Sequence, residues 1–425
     1  MGWIFESFLQ GITGFGVPVA VGAPLLIGIG VKPMWAVIIP LLGQSWGNTF
    51  GTLAAAWDAL GMSAGLTTGS RDYLVTALWA AVFIWVWNLI IGVTICWFYG
   101  KGKAIRKGIL AVALISVIQG GGELLLTQVN TTIACFVPAC ISLIIILMLG
   151  RLPAFRNEWN VKESQIMERK TVAQEDGEKP EGMTLVQAFV PYFLLSVIAL
   201  VVLLVEPVHT FLGRIQIGFS FPETVTGYGY VNEAVESFSP LSPFTHASMF
   251  LLISSLAGMI YYRKKGWIKK GGIGRIFIRA VSMTMPSGMA IIGLVIMSKI
   301  MAGTGQTEVL ANGIANVLGK VYVILSPFIG LLGSFMTGSN MSSNILFAGF
   351  QSTTANLLHV DPSIVLGAQT AGGSIGSAIS PSNIILGTTT ANILGSEGKV
   401  LKKIIVITVP AAVVIGILVL ALTSL

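Results

Sequence analysis

"TGSNMSSNILFAGFQSTTANLLHVDPSIVLGAQTAGGSIG", residues 337–376, is apolar enough for a membrane interior yet crowded with Gly, Ser, Thr and Asn. A similar arrangement stands near the start: "TGFGVPVAVGAPLLIGIGVKPMWAVIIPLLGQSWGNTFG", residues 13–51. Each stretch opens with Thr-Gly and a short polar or Gly-Pro turn. An apolar helix follows, then a break at a polar residue before proline, Lys32-Pro33 or Asp361-Pro362. A second apolar segment closes on "QSWGNTFG" or "QTAGGSIG", which share Gln44/Gln369, Gly47/Gly372 and Gly51/Gly376. Thr13 to Gln44 spans 31 positions and Thr337 to Gln369 spans 32. Internal repeats with Gly- or Pro-broken segments at matching places mark secondary transporters, whose binding sites form where the broken helices meet at mid-membrane.

Composition places the chain in lipid. Of its 425 residues 54% are hydrophobic and 10% charged, with a mean hydropathy of +0.83, against about 25% charged in a soluble domain. The formal charge of +7 comes from basic residues in short runs between apolar spans, as in "CWFYGKGKAIRK", "YYRKKGWIKKGGIGRIFIR" and "GKVLKK". That placement reads as cytoplasmic topology rather than as a nucleic-acid surface. Cys96, Cys135 and Cys140 lie in apolar segments without a His or Cys cluster, so no metal site is expected and the thiols read as small hydrophobes. No cofactor motif, nucleophile elbow, zinc-binding helix or P-loop is present, which leaves transport driven by an ion gradient rather than an enzyme.

Spans are expected at about residues 74–99, 124–149, 185–205, 243–262, 281–300 and 404–425, each able to cross a core of about 30 Å. Residues 151–183 are the one long polar stretch, with seven acidic and six basic residues, and read as a cytoplasmic loop. It divides a first membrane half, 1–150, from a second, 184–425. The expected fold is all-α: a polytopic transmembrane helical transporter with two repeat-related halves and broken or re-entrant helices. Residues 5–57, 108–132 and 322–395 are too rich in Gly, Pro and small polar residues to face lipid, so they are expected inside protein or along a watery cavity.

The substrate candidates are neutral donors at the breaks: Thr13, Gly14 and Gly16; Ser339, Asn340, Ser343 and Asn344; and Ser380, Ser382 and Asn383 in "SPSN". Gln44 and Gln369 stand at matching repeat positions, either orienting those turns or binding directly. Half-helix ends there would offer backbone N–H groups and a positive dipole to an anion. Ionisable residues within membrane segments are few: Glu6, Glu123, Lys299 and His246. Glu123, in "QGGGELLLTQVNTT", is the ion-coupling candidate; an interfacial turn is the other reading of that residue.

Three stretches carry a family resemblance: "FLQGITGFGVPVAVGAPLLIGIGVKP", "SPFIGLLGSFMTGSNMSSNILFAGFQSTTA" and "AQTAGGSIGSAISPSNIILGTTTANILGSEG". With the spans between them the chain resembles the lactate permease family of bacterial and archaeal carriers from about Phe8 onward. The resemblance implies symport of L-lactate, or related 2-hydroxy monocarboxylates such as glycolate, with protons across the cell membrane. Three departures stand against the family pattern. Gln10, Asn340 and Ser377 occupy positions where it usually has Glu, Asp and Lys. Losing both signs together is coherent, because removing one partner alone would strand a buried charge. Members of the family usually carry roughly a hundred further residues, several spans, before the "LQGITGFG" region; two expectations follow, a start placed too far downstream or a separate chain that supplies such spans as a partner.

The leading expectation is thus a proton-driven symporter of small organic anions in the plasma membrane, its partners being a small carboxylate, H⁺ or Na⁺, and the bilayer. Two alternatives stay open. One is Na⁺-coupled carboxylate or dicarboxylate transport, which neutral Asn, Ser and Thr oxygens suit. The other is an accessory membrane subunit without activity of its own.

Overall fold

The computed structural model describes the chain except residues 15, 153–160, 162–163, 169–184, 189, 228–230, 233, 269–271 and 425. Most of the expected 151–183 loop therefore lies outside the described residues. Packing divides the chain into two compact units, Met1–Val172 with Gln306–Leu425, and Ala173–Gly305. This differs from the expected cut at 151–183, because residues 306–425 pack with the N-terminal segment.

The first unit begins with α1 (Ile4–Ile12), α2 (Val17–Gly28), α3 (Pro33–Ser45), a 3₁₀ turn over Trp46–Asn48 and α4 (Gly51–Ala64). Then come α5 (Arg71–Ser116), a π turn at Val117–Gly121, α6 (Gly122–Thr127) and α7 (Phe136–Leu149). The second unit holds α8 (Leu185–Ala188), α9 (Val190–Leu204), α10 (Glu206–Leu212), α11 (Ala247–Lys264) and α12 (Gly272–Gly303). Between α10 and α11 run two antiparallel ribbons, β1 (Ile217–Phe221) with β4 (Val235–Leu241) and β2 (Thr224–Val225) with β3 (Val231–Asn232). The chain returns to the first unit through α13 (Gln306–Leu318), α14 (Tyr322–Thr337), α15 (Asn340–Leu357), α16 (Pro362–Ser377), α17 (Pro381–Thr390) and α18 (Glu397–Ser424).

α5 is two helices, not one. Gly100 and Lys101 leave helical geometry, Lys101 at φ +51°, and the chain folds back there. Asn88 Nδ2 donates to Gln119 Oε1 at 2.9 Å, a Cβ on Gly92 would lie 2.7 Å from Val112, and one on Gly108 would lie 3.1 Å from Cys96 Sγ. A straight helix would hold residues 92 and 112 about 30 Å apart. The basic run after Tyr99 thus caps a helical hairpin, whose second arm continues through the π turn into α6. The expected span 124–149 is also interrupted: α6 stops at Thr127, and α7 starts only at Phe136 after a 3₁₀ turn at Thr131–Ile133. Among the described residues, Thr131–Leu149, Gln306–Thr337 and Glu397–Ser424 are further stretches long and apolar enough to cross a membrane.

The two repeats fold alike at their breaks. α1 and α14 both end at Thr-Gly, where Gly14 (φ +63°) and Gly338 (φ +82°) turn the chain into α2 and α15. α3 and α16 both start with proline at the first turn, where its missing N–H costs nothing. Asp361 caps α16 by accepting from Ser363 N at 2.8 Å. α14 and α16 approach backbone to backbone: a Cβ on Gly330, Gly372 or Gly376 would strike the main chain of the other helix. Small residues at such crossings take the place of hydrophobic side-chain packing in membranes.

Candidate functional site

Three helix starts open on one small cavity. α2 begins after Gly16, which is held at φ +80°; α15 begins after Ser339, extended behind Gly338; α17 begins after Ser380 with Pro381 in its first turn. In none of the three does the N-cap side chain bond the helix's own first amides. Those amides lack an intrahelical acceptor and carry the positive end of the dipole. Gly16, Ser339, Asn340, Met341 and Asn383 line the cavity from these starts.

The approach is close enough to demand glycine at two points. A Cβ on Gly338 would strike Ser382 Oγ, and one on Gly16 would lie 2.7 Å from Leu386 Cδ2. "SPSN" is a helix entrance rather than a long irregular segment. Ser380 is extended, Ser382 and Asn383 are already helical, and the two serine hydroxyls pair at 2.8 Å.

Another part of the wall comes from the N-terminal helices. Gln10 of α1, Gln44 of α3, Asn48 of the 3₁₀ turn and Thr52, Ala55 and Ala56 of α4 line it, with Ser377 closing the ring. No lining side chain among the described residues is charged. Thr52, Leu53 and Ala54 stand in left-handed geometry, at φ +52°, +54° and +65°, a conformation costing roughly 1–2 kcal/mol per residue. Thr52 Oγ1 fills the space where a Cβ on Gly14 would be. Asn48 Nδ2 donates to Ser377 Oγ, and Asn383 Nδ2 donates to the Ser377 carbonyl at 3.0 Å. The amide oxygens of Gln10, Gln44 and Asn340 are buried without a hydrogen-bond partner.

Behind the wall the polar groups are mostly bonded to each other. Asn344 Nδ2 donates to the Ala56 carbonyl and to Thr370 Oγ1, both at 2.9 Å. Gln351 Nε2 donates to Gln369 Oε1 at 2.9 Å, and Gln351 Oε1 accepts from the Tyr322 hydroxyl. Gln369 Nε2 donates to Ser343 Oγ at 3.2 Å, and that hydroxyl donates to the Gly330 carbonyl at 2.8 Å.

Of the residues singled out in the sequence, Gly16, Gln44, Ser339, Asn340 and Asn383 line the cavity. Ser343, Asn344 and Gln369 belong to the network behind it, Ser380 and Ser382 sit beneath Gly338, and Gly14 backs Thr52. The Thr13 hydroxyl donates to the Leu9 carbonyl of its own helix at 2.8 Å. Glu123 is buried in α6, away from the lining, with both carboxyl oxygens unpartnered and Cys135 nearby. Asn48, Thr52, Ala55, Ala56 and Met341 line the cavity without having been singled out. Gln10 and Ser377 line it too, and with Asn340 they are the three positions that the resemblance marked as departures, gathered around one space. That coincidence was the available signal.

Spanning helices, repeated breaks and a polar cavity where helix starts converge define a multi-pass membrane transporter. The comparisons with known proteins sharpen this. The chain belongs to the L-lactate permease family, a model of which matches residues 1–425. It is 25% identical over 409 residues to L-lactate permease of Halalkalibacterium halodurans, covering 95% of this chain and 73% of that protein. It is 28% identical over 457 residues to glycolate permease GlcA of Escherichia coli (strain K12), covering 98% and 76%. Among solved structures, the YdaH transporter of Alcanivorax borkumensis aligns over 97% of this chain and 84% of that one, at a TM-score of 0.34 and 15% identity.

Proposed function

We propose that the chain is a secondary active transporter that carries L-lactate, or a related 2-hydroxy monocarboxylate such as glycolate, across the cell membrane together with a cation. The observation that carries this reading is the meeting of three helix starts, uncapped by their own side chains, at one cavity without a charged lining residue. A substrate carboxylate supplies acceptors for the first amides of α15 and, past Val17, which already donates to the Gly14 carbonyl, and past Pro18 and Pro381, which have no N–H, for the next amides of α2 and α17. The neutral hydroxyls and carboxamides of Ser339, Asn48 and Asn383 suit a 2-hydroxyl group, which needs both a donor and an acceptor. The relatives named for lactate and glycolate transport support the substrate class.

Glu123 remains the candidate for a coupled proton, standing outside the cavity wall. Uptake of labelled L-lactate into proteoliposomes tests the proposal. Unlabelled glycolate should compete, whereas lactamide, which keeps the hydroxyl and lacks the carboxylate, should not. Competition by lactamide equal to that by glycolate would remove the carboxylate from the account.

A further inference from the structure

Behind the cavity, four side chains at most 3% exposed bring their polar atoms together: Thr49, Asn340, Thr370 and Ser374. Thr49 and Ser374 hold matching positions in the closing octets of the two repeats, so the repeats meet here. Thr49 Oγ1 lies 2.9 Å from Thr370 Oγ1, 2.9 Å from Ser374 Oγ and 3.3 Å from the Thr370 carbonyl oxygen. Asn340 Nδ2 lies 3.0 Å from Thr49 Oγ1 and 3.2 Å from each of the other two hydroxyls.

Hydrogen bonding alone accounts for this cluster poorly. A carboxamide nitrogen has two hydrogens for these three acceptors, while Asn340 Oδ1 is buried without a donor. A Cβ on Gly373 would touch that Oδ1 and lie 3.3 Å from Ser334 Oγ, another buried atom without a partner. Turning the carboxamide over brings Nδ2 to the side of Ser334 Oγ and Oδ1 to the three hydroxyls. Five neutral oxygens then converge: those of Thr49, Asn340 and Ser374, with the hydroxyl and carbonyl of Thr370.

We propose that this cluster is a Na⁺ site. Na⁺ is close in size to Ca²⁺, whose oxygen ligands sit at about 2.3–2.6 Å. Oxygens of an octahedral shell of that radius stand about 3.4 Å apart, so binding asks for a spreading of a few tenths of an ångström. A divalent ion does not suit a set without a carboxylate to offset its charge. Asn340 is also the first residue of α15, whose start lines the cavity. A cation held by Asn340 fixes that helix start where the carboxylate is expected. By linkage each ligand then tightens the other by the same factor. The coupling role rests on the transport reading above; the binding site itself does not.

The test is thermal unfolding of the detergent-purified full chain, without any carboxylate, in NaCl, KCl or choline chloride at equal ionic strength. Na⁺ alone should raise Tm in a saturable way, and Thr49→Val and Ser374→Ala should each raise half-saturating Na⁺ at least ~10-fold. The response to Na⁺ is compared within each variant, so general destabilisation does not mimic the effect. Thr388→Val, whose hydroxyl bonds Glu397 elsewhere, should keep the parent midpoint. A parent chain equally stabilised by K⁺ and choline, or variants with an unchanged Na⁺ midpoint, would overturn the site. A Na⁺ response without lactate uptake would keep the site and overturn the substrate; lactate uptake without a Na⁺ response would do the reverse.

Discussion

The two repeats place the same backbone events in the same order, yet they spend their side chains differently. Gln44 and Gln369 hold matching positions, but Gln44 Oε1 is unpartnered at the cavity while Gln369 is bonded to Gln351 and Ser343 within the second repeat. Gly14 and Gly338 make matching left-handed turns, but only the second leads directly into a helix whose first residues, Asn340 and Asn344, tie the repeats together. The difference teaches that the repeat sets where a residue stands, and its neighbours set what it does. The second repeat supplies most of the hub, with Thr49 from the first, and each repeat leaves one unpartnered amide oxygen at the cavity, Gln44 Oε1 and Asn340 Oδ1.

The largest expected effect falls on the hub. Asn340→Ala removes contacts to Thr49, Thr370 and Ser374 at once and should abolish lactate uptake while membrane insertion stays intact. Normal uptake by that variant would dissolve the distinction between hub and lining. Next is the turn: Gly338→Ala meets both a positive φ and Ser382 Oγ. With the left-handed conformation alone costing about 1–2 kcal/mol, that variant should lose more than tenfold in uptake and some thermal stability.

The matched glutamines divide the comparison most cleanly. Gln369→Ala leaves buried partners unsatisfied, at about 1–3 kcal/mol, and should lower Tm. Gln44→Ala should change the KM for lactate severalfold with little effect on Tm. Equal behaviour of the two variants in both measurements would break the comparison. Smallest of all, Thr13→Val removes a hydroxyl bonded only to its own helix and should stay within about 0.5 kcal/mol of the parent.

The breaks were legible because proline and glycine act locally. Thr13-Gly14, Thr337-Gly338, Lys32-Pro33 and Asp361-Pro362 all mark helix ends in the structure. The fold-back at Gly100–Lys101 was not legible as a hairpin, since a basic run after aromatic residues looks the same at any interface. Of the substrate candidates, residues adjoining a break, such as Gly16, Ser339 and Asn383, lie at the cavity. Residues one or two turns farther into a helix were not separable, because whether Asn344 or Asn48 faces the cavity depends on helix rotation fixed by packing. Thr52 was beyond reach for another reason: its left-handed backbone has no glycine to announce it.

The central claim is that the carboxylate sits against the uncapped start of α15. Replacing Ser339 by cysteine and following its modification by a small charged thiol reagent, above the background of the parent chain, tests this directly. Bound L-lactate should slow the labelling of Ser339→Cys severalfold, and lactamide should leave it unchanged. Labelling that proceeds at the same rate with saturating lactate, in a variant that still takes lactate up, would contradict the account.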